Sequence, residues 1–197
     1  MSPKHILALN GHPADNSLSA GLIAAYQSGA EQAGHTVKRH NLAQMVFDTD
    51  HGDGGYQNSK PLEAPLAAFV EDLKWCDHIV IATPLWWGGI PSKLKGLFDR
   101  TLLPGIAFDT RHKNMMGLPA PLLKGKTGSI LLTSDTPSWA LSLFYNAAIK
   151  KQMERQILKF VGIKPKKFKN FAPATDIGAD TAQKWLQSTH HMGLKAG

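Results

Sequence analysis

The sequence predicts an α/β fold, an open parallel five-stranded sheet with helices on both faces. Two observations carry that prediction. Short apolar runs such as Ile79-Val80-Ile81-Ala82 lack polar alternation, the pattern of strands buried on both faces. They alternate with segments whose apolar residues recur at three- and four-residue spacing, and parallel neighbours need such crossover helices.

His5 to Leu9 is the first strand, and a loop through Ser17 leads to a helix in which Leu18, Leu22, Tyr26 and Ala30 step by four until Gly34 ends it. Thr36 to His40 is a shorter second strand. The polar, glycine-rich segment from Asn41 to Lys60 is expected to be a long loop. A helix from about Pro61 to Trp75 carries Leu62, Leu66, Phe69, Val70 and Leu73 on one face. The third strand runs from His78 to Thr83, and a helix from Pro91 turns Leu94, Leu97, Phe98 and Leu102 toward the sheet. Pro104 to Pro121 reads as an irregular insertion containing Phe108, Arg111, His112, Met115 and Met116, and loops of that length are more often functional than idle. Thr127 to Thr133 is the fourth strand. A helix carrying Leu141, Phe144, Ile149, Met153 and Leu158 comes next, then a strand near Lys166 to Phe171 and a last helix from about Ala179 to Thr189.

At 197 residues the chain fits one domain with a full core, residues 1–197, and its 43% hydrophobic and 19% charged shares are those of a soluble globular protein. No apolar run approaches a membrane span. Met1-Ser2-Pro3-Lys4-His5 enters a strand without a secretory pattern, so the cytoplasm is the expected compartment. The single Cys76, just before a buried strand, is expected to be a packed thiol. Lys and Arg number 22 against 15 acids, a net charge of +7 that favours anionic ligands. The charge is dispersed except in KPKKFK, Lys164 to Lys169, expected to be a solvated loop. With no nucleic-acid module around it, no nucleic-acid partner is expected. No His, Cys or carboxylate set has metal-ligand spacing.

If the strand order is 2-1-3-4-5, the flavodoxin-like order, the loops leaving the first, third and fourth strands meet at the carboxyl edge, where ligands bind. The third-strand loop lies in TPLWWGGIPSKLKG, Thr83 to Gly96. Pro84 fixes φ and removes a donor, Trp86 and Trp87 supply flat walls, and Gly88 and Gly89 let a planar group approach the main chain. Two adjacent rings in an extended turn cannot easily both face inward, which favours a ligand wall over a core plug. The segment reads as a flavin-binding corner.

The first loop, NGHPADNSLSAG from Asn10 to Gly21, places Asn16, Ser17 and Ser19 around a helix start, where free N–H groups and the dipole favour an anion. His12 adds a hydrogen bond or, if protonated, charge. The loop lacks G-x-G-x-x-G. Gly125-Lys126-Thr127 is no Walker A motif, because Ala120 replaces the leading glycine, so ATP hydrolysis is rejected. In the fourth-strand loop, TSDTPSW, the residues Thr133, Ser134, Asp135 and Thr136 suit either a flavin's polar rim or an ordinary turn before a helix.

These residues resemble the flavodoxin-fold NAD(P)H:quinone oxidoreductases, a family that includes quinone reductases and the ancillary reductases of potassium efflux systems. The likeness spans nearly the whole chain. Its most specific part is Pro84 to Phe108, which looks like the family's P-x-x-W-x-x-x-P-x-x-L-K segment and following aromatic-containing loop; Gly11-His12-Pro13 with Ser17 resembles its flavin-phosphate loop. The resemblance implies that His12, Ser17, Leu18 and Ser19 contact the phosphate, that Pro84, Leu85, Trp86, Trp87 and Gly88 line the isoalloxazine, and that Thr133, Ser134, Asp135 and Thr136 hold its pyrimidine side. Many members have two glycines where Asp135 and Thr136 stand here, and the next aromatics are Trp139 and Tyr145, so no proton-relay residue is assigned.

The implied reaction carries hydride from NAD(P)H through bound flavin to a quinone or similar aromatic acceptor, with FMN and FAD both open. By resemblance a homodimer completes each active site, and Phe108 is a candidate to cover the substrate pocket or to make a subunit contact. Two other functions compete: a flavin- or nucleotide-binding regulatory subunit of a membrane transporter, and a flavodoxin-type electron carrier. The basic charge opposes the carrier, since such carriers are commonly acidic.

Overall fold

The computed structural model describes residues 2–52 and 59–196. Residues 53–58 of the expected 41–60 loop lie outside them. The strands are β1 (His5–Asn10), β2 (Thr36–Asn41), β3 (His78–Pro84), β4 (Phe108–Lys113), β5 (Pro119–Pro121), β6 (Thr127–Thr133) and β7 (Lys164–Phe171). Five of them form a parallel sheet in the order β2-β1-β3-β6-β7. That is the expected 2-1-3-4-5 order, with the β4–β5 hairpin inserted.

The helices are α1 (Leu18–Gln32), α2 (Ala64–Trp75), α3 (Ser92–Thr101), α4 (Ser138–Leu143), α5 (Ala148–Lys151), α6 (Lys159–Val161) and α7 (Ala179–Leu194), with a π-helical stretch, Gln152–Leu158, between α5 and α6. Alternation along the strands splits the core in two. Leu7, Leu9, Ile79, Ile81, Ile130 and Leu132 pack with α2 and α3 residues on one face. Ile6, Ala8, Val80, Ala82 and Leu131 pack with α1 residues on the other. Every residue of β3 is buried, as its unbroken apolar run requires. Among the described residues no helix is long and apolar enough to cross a membrane.

Four expected elements differ. The second helix starts at Ala64, not Pro61, because buried Arg100 draws the preceding chain onto α3. Its guanidinium donates to the Pro61 carbonyl at 2.9 Å, to the Asp48 carbonyl and to Glu63 Oε2 at 2.8 Å. The 104–121 insertion is not irregular throughout: β4 and β5 pair antiparallel, with Asn114 Oδ1 accepting from the Met116 and Leu118 amides at the turn. The helix expected across Leu141 to Leu158 breaks at Asn146 and Ala147, whose φ values are 52° and 51°. The Lys164–Lys169 cluster is no loop but most of edge strand β7, where Pro165 is tolerated and lysines discourage edge pairing. Cys76 is a packed thiol: burial pushes its pKa up to about 11, and Sγ donates to the Leu73 carbonyl.

Candidate functional site

Three backbone hydrogen bonds run on past the strand ends and hold the special loops together. Gly11 N–H donates to Ala82 O at 2.7 Å, Leu85 N–H to Thr133 O at 2.8 Å and Ser134 N–H to Phe171 O at 3.1 Å. Gly11 has to be glycine, because a Cβ there would lie 2.7 Å from Leu94 Cδ2 and 3.0 Å from the Ala82 carbonyl.

In the first loop, Asn10 is fully buried and its Nδ2 donates to Asn41 Oδ1 at 2.7 Å. Asn41 Nδ2 donates onward to Asp15 Oδ1 at 2.6 Å, tying the loop to the end of β2. The His12 amide donates to Asn10 Oδ1, and His12 Nδ1 accepts from the Ala14 amide at 3.0 Å. Burial lowers the His12 pKa, so the ring is neutral and presents Nε2–H as a donor. Ser17 Oγ caps α1 by accepting from the Ala20 amide at 3.2 Å. The Leu18 and Ser19 amides have no intrahelical acceptor. Ser19 is 1% exposed, yet its Oγ has no hydrogen-bond partner.

Trp86, Trp87, Gly88 and Gly89 form a tight turn closed by two 2.9 Å backbone hydrogen bonds between Trp86 and Gly89. The φ values of 51° at Trp87 and 77° at Gly88 are those of a type I′ turn, which favours Asn or Gly, not a bulky ring, at its first central position. Trp87 occupies that strained conformation with its side chain fully in solvent at 106% exposure. Trp86 packs edge-on against His12, ring centroids 5.6 Å apart. Neither ring plugs the core.

The fourth-strand loop is fastened from behind. Ser134 Oγ lies within hydrogen-bond distance of Asn170 Oδ1 and of the Thr136 carbonyl and shares its one proton between them, and the Thr136 carbonyl also accepts from Asn170 Nδ2. The Asp135 carboxylate accepts from the Ala174 amide and from the amide and hydroxyl of Thr175, and these bonds hold its pKa below the usual carboxylate range.

A cleft of about 370 Å³ opens where the third- and fourth-strand loops meet, with Leu85, Trp87 and Gly88 on one side and Ser134, Asp135 and Thr136 on another. No first-loop residue lines it: His12 packs on Trp86, which stands between the lining residues Leu85 and Trp87, and Ser17, Leu18 and Ser19 open α1. Pro84 and Thr133 are buried as the last paired residues of β3 and β6, setting where the loops leave without lining the cleft. Phe108 is not brought to it. It is 7% exposed, packs edge-on against Phe160 at 5.3 Å and lines a separate cavity of about 600 Å³. The sequence reading missed the third wall, Leu141, Tyr145, Ala148 and Ile149. Only the Asn146–Ala147 break turns Tyr145 and Ala148 toward the cleft, and Ala147 carries no left-handed signal in its residue type.

The model of a family described as Flavodoxin-like fold matches residues 4–190. The chain is 31% identical over 190 residues to the FMN-dependent NADH:quinone oxidoreductase of Alcanivorax borkumensis, covering 87% of this chain and 88% of that one. It is 28% identical over 188 residues to the Haemophilus influenzae protein of the same name, covering 91% of each. Among solved structures, Smu.1420 from Streptococcus mutans superimposes with a TM-score of 0.81 at 25% identity, over 97% of this chain and 99% of that one.

Proposed function

The chain belongs to the Flavodoxin-like fold family, and on that premise we propose that it is an FMN-dependent NADH:quinone oxidoreductase. The meeting of the third- and fourth-strand loops on one cleft, at the sheet edge where the first-strand loop is tied to β3 by the Gly11–Ala82 hydrogen bond, supports this most strongly, and the names of the two relatives point to FMN and NADH.

The residues fit the cofactor. Ser19 Oγ, buried and unpartnered, gains a partner when a phosphate sits on the α1 amides. Ser17, Leu18 and His12 Nε2–H complete that end. Leu85, Trp86, Trp87 and Gly88, launched from Pro84, flank the ring, and the Thr133–Thr136 loop presents amides and hydroxyls to its pyrimidine edge. A bound flavin would supply the redox chemistry, two-electron transfer between NADH and a quinone that also takes up a proton.

The protein's part is binding, orientation and exclusion of water. Trp87, Leu85 and Tyr145 wall the cleft with apolar surface that suits a planar acceptor. The Asp135 carboxylate is engaged by Thr175, so the cleft's own acid does not compete with the donors meant for the flavin. A homodimer accounts for the exposed apolar side chains Met115, Met116 and Leu118 on the hairpin and Trp139, Leu143 and Phe144 beside the cleft.

FMN titration of the apo-protein, followed by quenching of tryptophan fluorescence, tests the assignment. One FMN per chain, with the quench lost in a Trp86→Phe/Trp87→Phe variant, is the expected result. No saturable binding would overturn it.

A further inference from the structure

The lysine cluster that the flavin cleft does not use lines a cavity of its own. Lys166, Lys167 and Lys169 of β7 face His191 and Lys195 at the end of α7 across a pocket of about 680 Å³, within the range of small-molecule sites. It shares no lining residue with the flavin cleft. No Asp or Glu lines it, and the lysines found in ion pairs, Lys38, Lys60, Lys74 and Lys95, lie elsewhere.

Hydroxyls also line this pocket. Tyr26 is 1% exposed, and among the described residues its hydroxyl makes no hydrogen bond. Burial holds that phenol far above its ordinary pKa, so it remains a donor. Ser188 Oγ accepts from Lys169 Nζ at 2.6 Å and keeps its own proton free, and Ser129 lines the pocket from β6. Burial, and to a lesser degree the neighbouring Lys167, lower the Lys169 pKa.

We propose that this pocket between β7 and α7 is a second ligand site, built for a small molecule carrying adjacent phosphate groups. Several ammonium groups around hydroxyl donors match the charge and acceptor oxygens of a phosphate chain. Edge protection of β7 accounts for lysines on the strand, but not for Lys195 and His191 facing them or for the Ser188 and Tyr26 side chains lining the same pocket. The site does not depend on the flavin assignment.

The test is calorimetric titration of the purified protein, preincubated with FMN, using inorganic tripolyphosphate. The expected result is saturable binding of one tripolyphosphate per chain that leaves the visible spectrum unchanged. Lys166→Gln/Lys167→Gln, which alters only exposed side chains, weakens it at least about tenfold, whereas Lys113→Gln/Lys124→Gln, with the same charge loss, leaves it intact. Tyr26→Phe keeps the ring and weakens binding severalfold, with folding checked by circular dichroism. Equal weakening by both lysine pairs reduces the effect to net charge and overturns the proposal. So does absence of saturation, or binding to phosphatidylserine vesicles without binding to tripolyphosphate, which assigns the face to a membrane surface.

Discussion

Asp135 accepts from both the amide and the hydroxyl of Thr175, at 2.7 and 2.8 Å, so the acid in the fourth-strand loop is fastened to the segment after β7. This settles the direction of the carboxylate in the fourth-strand loop. The bond network also fixes a pH dependence.

Asp135→Ala is expected to destabilise the protein by about 1 kcal/mol at pH 7, a modest figure because the carboxylate is exposed. The Asp135 pKa is depressed in the folded state, so its stabilisation is complete above the unfolded value of about 3.9 and is lost as pH falls through the folded value. Urea melts of wild type and variant should therefore differ at pH 7 and converge as pH falls through the depressed folded value.

Ser17 and Ser19 separate capping from ligand binding. Ser17→Ala removes the α1 cap and should lower stability by about 1 kcal/mol in the apo-protein and by more with FMN bound, where the phosphate contact is lost as well. Ser19→Ala removes a hydroxyl with no protein partner, so the apo-protein should melt unchanged while FMN affinity falls. Melting curves with and without FMN check both.

Trp87 stands in left-handed backbone with its ring in solvent. Trp87→Gly is expected to raise apo-protein stability by about 1 kcal/mol through relief of that backbone and to weaken FMN binding by up to about tenfold through loss of the ring. Lower stability with unchanged FMN affinity would identify the ring as a structural plug.

Gly29 and Gly193 let α1 and α7 meet backbone to backbone: a Cβ on Gly29 would lie 2.0 Å from the His190 carbonyl oxygen, and one on Gly193 2.1 Å from that of Tyr26. Helix propensity favours Gly29→Ala by about 1 kcal/mol, but backbone cannot yield as a flexible side chain can, and overpacking costs about 1–3 kcal/mol. The clash wins. A denaturant melt should show net destabilisation.

The sheet was legible in the sequence because β1, β3 and β6 are apolar on both faces and little but a central strand has that pattern. The Trp86–Gly89 corner was legible because its residue types are unusual together. What stayed hidden depends on tertiary partners. The Asn146–Ala147 break beside Tyr145 leaves only the weak mark of an asparagine, and the Thr175 anchor, forty residues beyond Asp135, leaves none. Arg100 shortened α2 from across the core. The Phe108 expectation rested on resemblance and the Lys164–Lys169 expectation on composition, and strand pairing placed both segments.

The central claim is best tested by an anaerobic reductive titration of the FMN-loaded protein, followed in the visible region. NADH should bleach the bound-flavin band, and a soluble quinone added afterwards should restore it with one equivalent consumed per chain. Bound flavin that NADH leaves oxidised would contradict the reductase assignment and favour an electron carrier or a regulatory subunit.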